Sequence, residues 1–285
     1  MTIAEALREA AQRFAATSDT ARLDAELLMA HARGVPRSDL LLRHMQDEAP
    51  AGFHALVERR MGSEPVAYIL SHAEFFGLDL QVAPGVLIPR SDSESVVEAA
   101  LAAAPHARRL LDLGTGSGAL LLALLSHLPQ AEGIGIEASD AALAIARANL
   151  AHLALDDRGC IRRCDWTRAG WADGLGRFDL VIANPPYVED EADLAPDVRD
   201  HEPGEALFAG PEGLDDYRII IPQLPNLLTE NGVAVLEIGA SQAEVVGKIA
   251  RDHGFAVKIR PDLAGRERAL VLRLRLGKGE SSSYL

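Results

Sequence analysis

Arg108–Leu125 reads RRLLDLGTGSGALLLALL, and the fold follows from it. An apolar strand runs into a glycine turn, and an apolar helix leaves that turn. Gly114, Gly116 and Gly118 let the backbone approach a ligand where a β-carbon would collide. The helix that follows offers its unpaired N–H groups to the same ligand. In an open α/β sheet, ligands bind at the carboxyl ends of the strands, where the strand order reverses. A binding loop is therefore favoured over a plain turn.

Which ligand the loop takes is left open by the glycines alone. Gly114, Gly116 and Ala119 satisfy the dinucleotide pattern G-x-G-x-x-G/A, and Glu137 ends the next strand at a distance suited to a ribose diol. NAD and S-adenosylmethionine both carry such a ribose. Asp112 favours the second, because a carboxylate repels a pyrophosphate and is compatible with a cationic methionine end. Trp166, just past the following strand, stands where an aromatic side chain flanks an adenine, although a buried Trp is common in any core.

Outward from this loop, helix and strand alternate from Ser91 on. Strands are predicted over Arg109–Leu113, Gly133–Glu137, Cys160–Cys164, Phe178–Ala183, Val233–Ile238, Ala256–Ile259 and Ala269–Leu274. Helices are predicted over Asp140–Leu153, Asp215–Leu228 and Ser241–His253. The alternation predicts an α/β domain with a parallel sheet covered on both faces. Residues 1–72 show helical spacing (Leu23, Leu27, Ala30) broken by Pro36 and Pro50. Between His72 and Pro89 the period becomes two, which predicts a hairpin with its turn at Pro84-Gly85. The expected organisation is a helical domain over 1–72, a hairpin linker over 73–90, an α/β domain over 91–277 and a polar tail over 278–285.

Composition sets outer limits. The chain has 285 residues, 48% apolar and 25% charged, with net charge −14. That length suits two domains. No apolar run approaches the roughly 18 residues of a membrane span, and the amino end lacks a signal-peptide pattern. Nine basic and twelve acidic residues fall in 1–90, with 19 and 30 beyond. This balance argues against gripping nucleic acid by phosphate neutralisation. Between Tyr187 and Glu205 eight acids face a single Arg199, a run read first as a solvated loop and otherwise as a docking surface for a basic partner. Cys160 and Cys164 lack ligand spacing, so a reduced cytoplasmic protein without a metal site is expected.

The strand FDLVIA runs straight into Asn184-Pro185-Pro186-Tyr187. Two prolines fix the backbone and remove two N–H donors, so the turn offers acceptors. A carboxamide nitrogen is a poor nucleophile because its lone pair is delocalised. The Asn184 side-chain oxygen and the Pro185 carbonyl would each accept one of its N–H bonds and aim the nitrogen at a methyl group. Acceptors also stabilise positive charge growing on the nitrogen, and Tyr187 packs against the planar amide and the sulfonium side. No general base is required.

These residues carry a resemblance. The chain is similar to the HemK/PrmC family, the N5-glutamine methyltransferases of peptide chain release factors. The likeness runs through EPVAYIL, EFFGLDLQVAPGVLIPR, LLDLGTGSGAL, NPPY, VRDHEP, GPEGLDDYR, LEIGASQ and DLAGRERALVLR. It implies a seven-stranded, Rossmann-like class I methyltransferase domain, S-adenosyl-L-methionine as cofactor, and a helical amino-terminal domain that recruits the partner. It implies cofactor binding by Gly114, Thr115, Gly116, Ser117, Gly118, Glu137, Trp166 and Asn184. Substrate binding falls to Asn184, Pro185, Pro186 and Tyr187, and catalysis to Asn184, Pro185 and Tyr187. The implied partner is a class I release factor, whose Gly-Gly-Gln glutamine is methylated by a monomeric enzyme using neither nucleic acid nor membrane. The chain departs from the family's LIPRPDTE at Ser91 and Ser93, has Glu137 where Asp is frequent, and carries Ser71 for a usual Gly. These departures are expected to lie away from the catalytic turn. Competing readings are glutamine methylation of a ribosomal protein, adenine-N6 methylation of nucleic acid, and a cofactor-binding module without chemistry.

Overall fold

The computed structural model describes residues 1–275, so the tail expected over 278–285 lies outside the described residues. The chain forms two compact units. One holds Met1–Ala73, Val82–Gly85 and Asp193–Glu202, and the other holds Glu74–Gln81, Val86–Ala192 and Pro203 onward.

The first unit is helical, with helices Ile3–Phe14, Ala21–Arg33, Phe53–Met61 and Val66–Leu70. Its opening helix starts at a capping box, in which the Thr2 hydroxyl accepts from the Glu5 N–H and the Glu5 carboxylate accepts from the Thr2 N–H. Ile3, Leu7, Ala10 and Phe14, spaced along one face, bury with Ala25, Leu28 and Met29 in a common core. The acidic segment Asp193–Glu202 belongs to this unit and is not a plain solvated loop. It contains the short helix Pro196–Arg199, and Glu202 is buried. Arg60, 4% exposed, donates to Asp24 at 2.9 Å and lies 3.8 Å from Asp197. A buried guanidinium needs such carboxylates, because an unpaired buried charge is costly.

The second unit is built on a seven-stranded sheet. Its strands are β3 (Arg109–Leu113), β4 (Glu132–Glu137), β5 (Gly159–Arg163), β6 (Phe178–Ala183), β7 (Leu228–Glu237), β8 (Phe255–Pro261) and β9 (Glu267–Leu274). They follow a small hairpin of β1 (His72–Phe75) and β2 (Leu78–Gln81). The sheet order is β5-β4-β3-β6-β7-β9-β8, which reverses direction between β3 and β6. The helix Ala119–His127 is buried through Leu125, as expected of an apolar run beneath a sheet.

Three expectations need correction. The sheet is mixed rather than parallel, since β9 runs antiparallel to both β7 and β8. Only Asp262–Arg266 joins β8 to β9, too short for a parallel crossover. The Asp262 carboxylate accepts from the N–H groups of Ala264 and Arg266, each at 2.9 Å, and so forms the turn. The early hairpin turns at Phe76-Gly77 rather than Pro84-Gly85. Both of those residues take positive φ (52° and 76°), which matches strand twist. The helix expected over Asp215–Leu228 is broken into Asp215–Ile220, a 3-10 turn Ile221–Gln223 and Leu224–Leu227, because Pro222 and Pro225 each remove a helical donor.

Candidate active site

Four parallel strands end on one row. Ile136 of β4 pairs Leu113 of β3, Leu113 pairs Ala183 of β6, and Ala183 pairs Leu236 of β7. The next residue on each strand is Glu137, Gly114, Asn184 and Glu237. Sheet register alone therefore sets the glycine loop beside the Asn-Pro-Pro-Tyr turn at the topological switch point. Strands about 4.8 Å apart make these residues neighbours.

The glycine loop is braced from within. The Ile136 carbonyl accepts from Gly114 at 3.0 Å and Thr115 at 2.9 Å, and Gly118 donates to the Thr115 carbonyl at 2.7 Å. Gly116 donates to the Glu137 carboxylate at 2.9 Å, and Ser139 donates to its other oxygen at 2.9 Å. The three glycines also serve different ends. A β-carbon on Gly114 would strike the Trp166 ring at 2.6 Å, and one on Gly118 would meet Leu122 at 2.9 Å. Of the three, only Gly116 has open space where its β-carbon would lie.

Thr115 and Ser117 are buried. The Thr115 hydroxyl donates to Asp112 at 2.6 Å, and the Ser117 carbonyl accepts from Asn149 at 2.8 Å. The Thr115 side chain and the Ser117 backbone thus shape the loop from below. Asp112 is fully buried, and its Oδ1 has no hydrogen-bond partner. Burial pushes its carboxyl up to about 7, with Glu137 adding to the rise and the Thr115 hydroxyl opposing it. A loop with committed donors and two carboxylates is a poor cradle for a pyrophosphate, which wants N–H groups aimed at it. It fits a ligand with a ribose diol and a positive charge. Glu137 keeps acceptor capacity for the diol beyond its two backbone bonds.

Trp166 is half-buried and lies against Gly114, with its indole N–H donating to Asp216 at 2.6 Å. Asp216 was not legible beforehand. It sits in GPEGLDDYR, 50 residues from its partner.

Pro185 and Pro186 of the turn are buried, and Asn184 and Tyr187 are half-buried. The Tyr187 carbonyl accepts from the Gln242 side chain at 3.0 Å, and Gln242 also donates to the Gly213 carbonyl at 3.1 Å. A β-carbon on Gly213 would strike the Tyr187 carbonyl at 2.3 Å, so GPEG and LEIGASQ together clamp the turn. The Tyr187 hydroxyl donates to Glu237 at 3.4 Å. Burial and the Glu237 charge push that phenol up to about 12. Tyr187 therefore stays neutral and is no base.

One departure from the family pattern does touch the turn, contrary to expectation. Ser93, 4% exposed, receives the Asn184 Nδ2 donor on its hydroxyl oxygen at 3.4 Å. Its neighbour Asp92 pairs with Arg266 and Arg268, each at 3.0 Å. Sequence reasoning missed Ser93, Glu237 and Gln242 because their partners lie 50 to 91 residues away. The signal available was that each falls inside a motif with no other assigned purpose. Among the described residues no group of three metal-ligating side chains forms, and no helix is long and apolar enough to cross a membrane.

Comparison with known proteins agrees with this geometry. Residues 5–70 match the PrmC N-terminal domain, and residues 91–199 match the methyltransferase small domain. A release factor glutamine methyltransferase of Cereibacter sphaeroides is 41% identical over 282 residues, covering 96% of this chain and 99% of the relative. The chain belongs to the release factor glutamine methyltransferase family. A second member, from Moorella thermoacetica, is 40% identical over 281 residues, covering 95% and 98%. The family's sheet is shared more widely. A solved methyltransferase from Pyrococcus furiosus is similar in fold at TM-score 0.51 and 17% identity, covering 75% of this chain and 95% of that one.

Proposed function

We propose that the protein transfers a methyl group from S-adenosyl-L-methionine to the side-chain amide nitrogen of the glutamine in the Gly-Gly-Gln motif of class I peptide chain release factors. It acts as a monomer in the cytoplasm, where such a substrate is found. The observation that carries this reading is the row of strand ends that sets Asn184 beside the glycine loop, with its amide nitrogen engaged by Ser93 and its oxygen left to accept.

The bound donor supplies an electrophilic methyl on a sulfonium. Gly116 gives the donor access to the backbone, Glu137 takes the ribose diol, and Trp166 flanks the adenine. Asp112, buried below the loop with its carboxyl pushed up to about 7, favours a cationic ligand over an anionic one in its ionised form. Thr115, Ser117, Gly114 and Gly118 hold the loop in shape, and Asn184 borders both ligands.

For the acceptor glutamine, the Asn184 Oδ1 and the Pro185 carbonyl each take one N–H bond, which holds the nitrogen in line for attack. Positive charge growing on that nitrogen is stabilised by the same two acceptors; as the N–CH3 bond forms and the S–CH3 bond breaks, the sulfur departs as a neutral thioether, and loss of one N–H proton to solvent leaves the neutral methylated amide. Pro185 and Pro186 contribute by having no N–H to compete for them. Tyr187, neutral and clamped by Gln242, gives the planar amide a flat wall.

Labelled donor and alternative acceptors test the reading together. A class I release factor should take up label, while a ribosomal protein and an adenine-containing oligonucleotide should not. Asn184→Ala should lower turnover on the release factor by roughly 10²–10³. Label on either alternative acceptor in preference to the release factor would overturn the proposal.

A further inference from the structure

We infer that Asp216 is a positioning residue for the methyl donor: by accepting the only polar hydrogen of the Trp166 indole, it fixes the wall on which the donor's adenine lies. The inference rests on the proposed role of Trp166 and adds the residue that sets its ring in place.

The indole is held at two ends. A β-carbon on Gly114 would lie 2.6 Å from Cη2, 2.9 Å from Cζ3 and 3.9 Å from Cζ2 of Trp166. The six-membered ring therefore occupies the space that the glycine leaves. The five-membered ring carries Nε1, which donates to the Asp216 carboxylate at 2.6 Å. An indole has one donor and no acceptor. With that donor spent on Asp216, Trp166 offers an adenine a ring face and no hydrogen bond. Stacking on such a face does not read the base, so what Trp166 contributes depends on where its plane is held.

Packing alone leaves that plane under-determined. Trp166 is half-buried against the core that contains Leu111, Leu113, Ala183 and Leu214. It also borders a cavity of about 390 Å³ whose lining includes Trp171, Arg218 and Gln223 but not Gly114. A side chain with empty space beside it has other rotamers open to it. A hydrogen bond from the end of the ring closes them.

Asp216 stands on backbone rigid enough for this task. It lies in the first turn of the helix Asp215–Ile220, with the buried Leu214 and Tyr217 on either side. The Tyr217 hydroxyl donates to the Glu237 carbonyl at 2.8 Å and ties that turn to the end of β7. Arg218, the cation of the same helix, is taken by Glu212 and Asp215. The indole bond is thus not in competition with it for Asp216. A bond supported in this way orders Trp166 before the donor arrives.

Four full-length variants test this by calorimetry with S-adenosylhomocysteine: Asp216→Ala, Asp216→Asn, Trp166→Phe and Trp166→Phe/Asp216→Ala. A wall ordered beforehand spares the ligand the cost of ordering it, so Asp216→Ala should weaken binding about five- to tenfold. Asp216→Asn keeps an accepting oxygen and loses only the charge, so its affinity should stay within about twofold of wild type. A role as a mere negative charge at a helix start would be lost in Asn as in Ala. Trp166→Phe has no N–H to hold, so adding Asp216→Ala should weaken binding no further. The unliganded protein gives a second readout. The chain has two tryptophans, Trp166 and Trp171, so the indole N–H resonance missing from Trp166→Phe is that of Trp166. It should shift upfield in Asp216→Ala and remain near its wild-type position in Asp216→Asn. Unchanged affinity in Asp216→Ala, an Asn variant as weak as Ala, additive losses in the double variant or an indole resonance indifferent to Asp216 would each overturn the inference alone. A wild-type protein that does not bind S-adenosylhomocysteine would overturn the proposed function and this inference with it, so the two failures are distinct.

Discussion

At the scale of single residues, two buried carboxylates carry most of the unusual chemistry. Asp112 and Glu237 are both pushed up to about 7 by burial. For Asp112 the unfolded value is 3.8, so between that pH and about 7 the folded protein keeps a proton that the unfolded chain has lost. Its contribution to stability is complete below the unfolded value and is lost as pH rises through the folded one. The difference is on the order of 4 kcal/mol. Asp112→Asn keeps the shape and removes the titration. Between pH 5 and pH 8, urea unfolding of the wild type should therefore lose more stability than unfolding of the variant. Parallel pH slopes would show that Asp112 does not titrate in this window. The residue type was legible in the sequence as a carboxylate beside a ligand loop. Its burial and orphaned oxygen were not, because they depend on what covers the strand.

At the scale of elements, the strand, glycine turn and helix over Arg109–His127 were legible because the hydrophobic period changes abruptly at Gly114. Single side chains that stitch elements together were not. Asn149 is fully buried on the helix Asp140–His152 and makes three hydrogen bonds. It donates to the Gln81 carbonyl at 3.0 Å and the Ser117 carbonyl at 2.8 Å, and accepts from the Gln81 N–H at 2.7 Å. One amide thus joins β2, the glycine loop and a sheet-covering helix. In the sequence it is one polar position in a helical pattern, 68 and 32 residues from its partners. Asn149→Ala leaves buried backbone groups unpaired, so it should cost about 2–4 kcal/mol in urea unfolding. A loss below about 0.5 kcal/mol would mean that the elements are held without it. The β8–β9 hairpin was missed for a related reason. A five-residue link reverses a strand, and periodicity carries no information on strand direction.

At the scale of the whole molecule, the fold class was legible and the cause of the site's placement was not. Alternating strands and helices implied a covered sheet, but the row Ile136, Leu113, Ala183 and Leu236 emerges only from register. That row explains how residues a hundred positions apart meet, and it brings Glu237 into the site. The net charge of −14 argues against bulk phosphate binding. Its densest stretch is now divided, since Asp193–Glu202 is part of the helical unit and Glu202 is buried there. The central claim is methyl transfer to a glutamine side chain of a release factor. Tandem mass spectrometry of a class I release factor, after incubation with this protein and S-adenosylmethionine, tests it most directly. The account predicts the mass of one methyl group on the side-chain amide of the Gly-Gly-Gln glutamine, and none when that glutamine is replaced by alanine. A release factor left unmodified, or methylated at another residue, would contradict it.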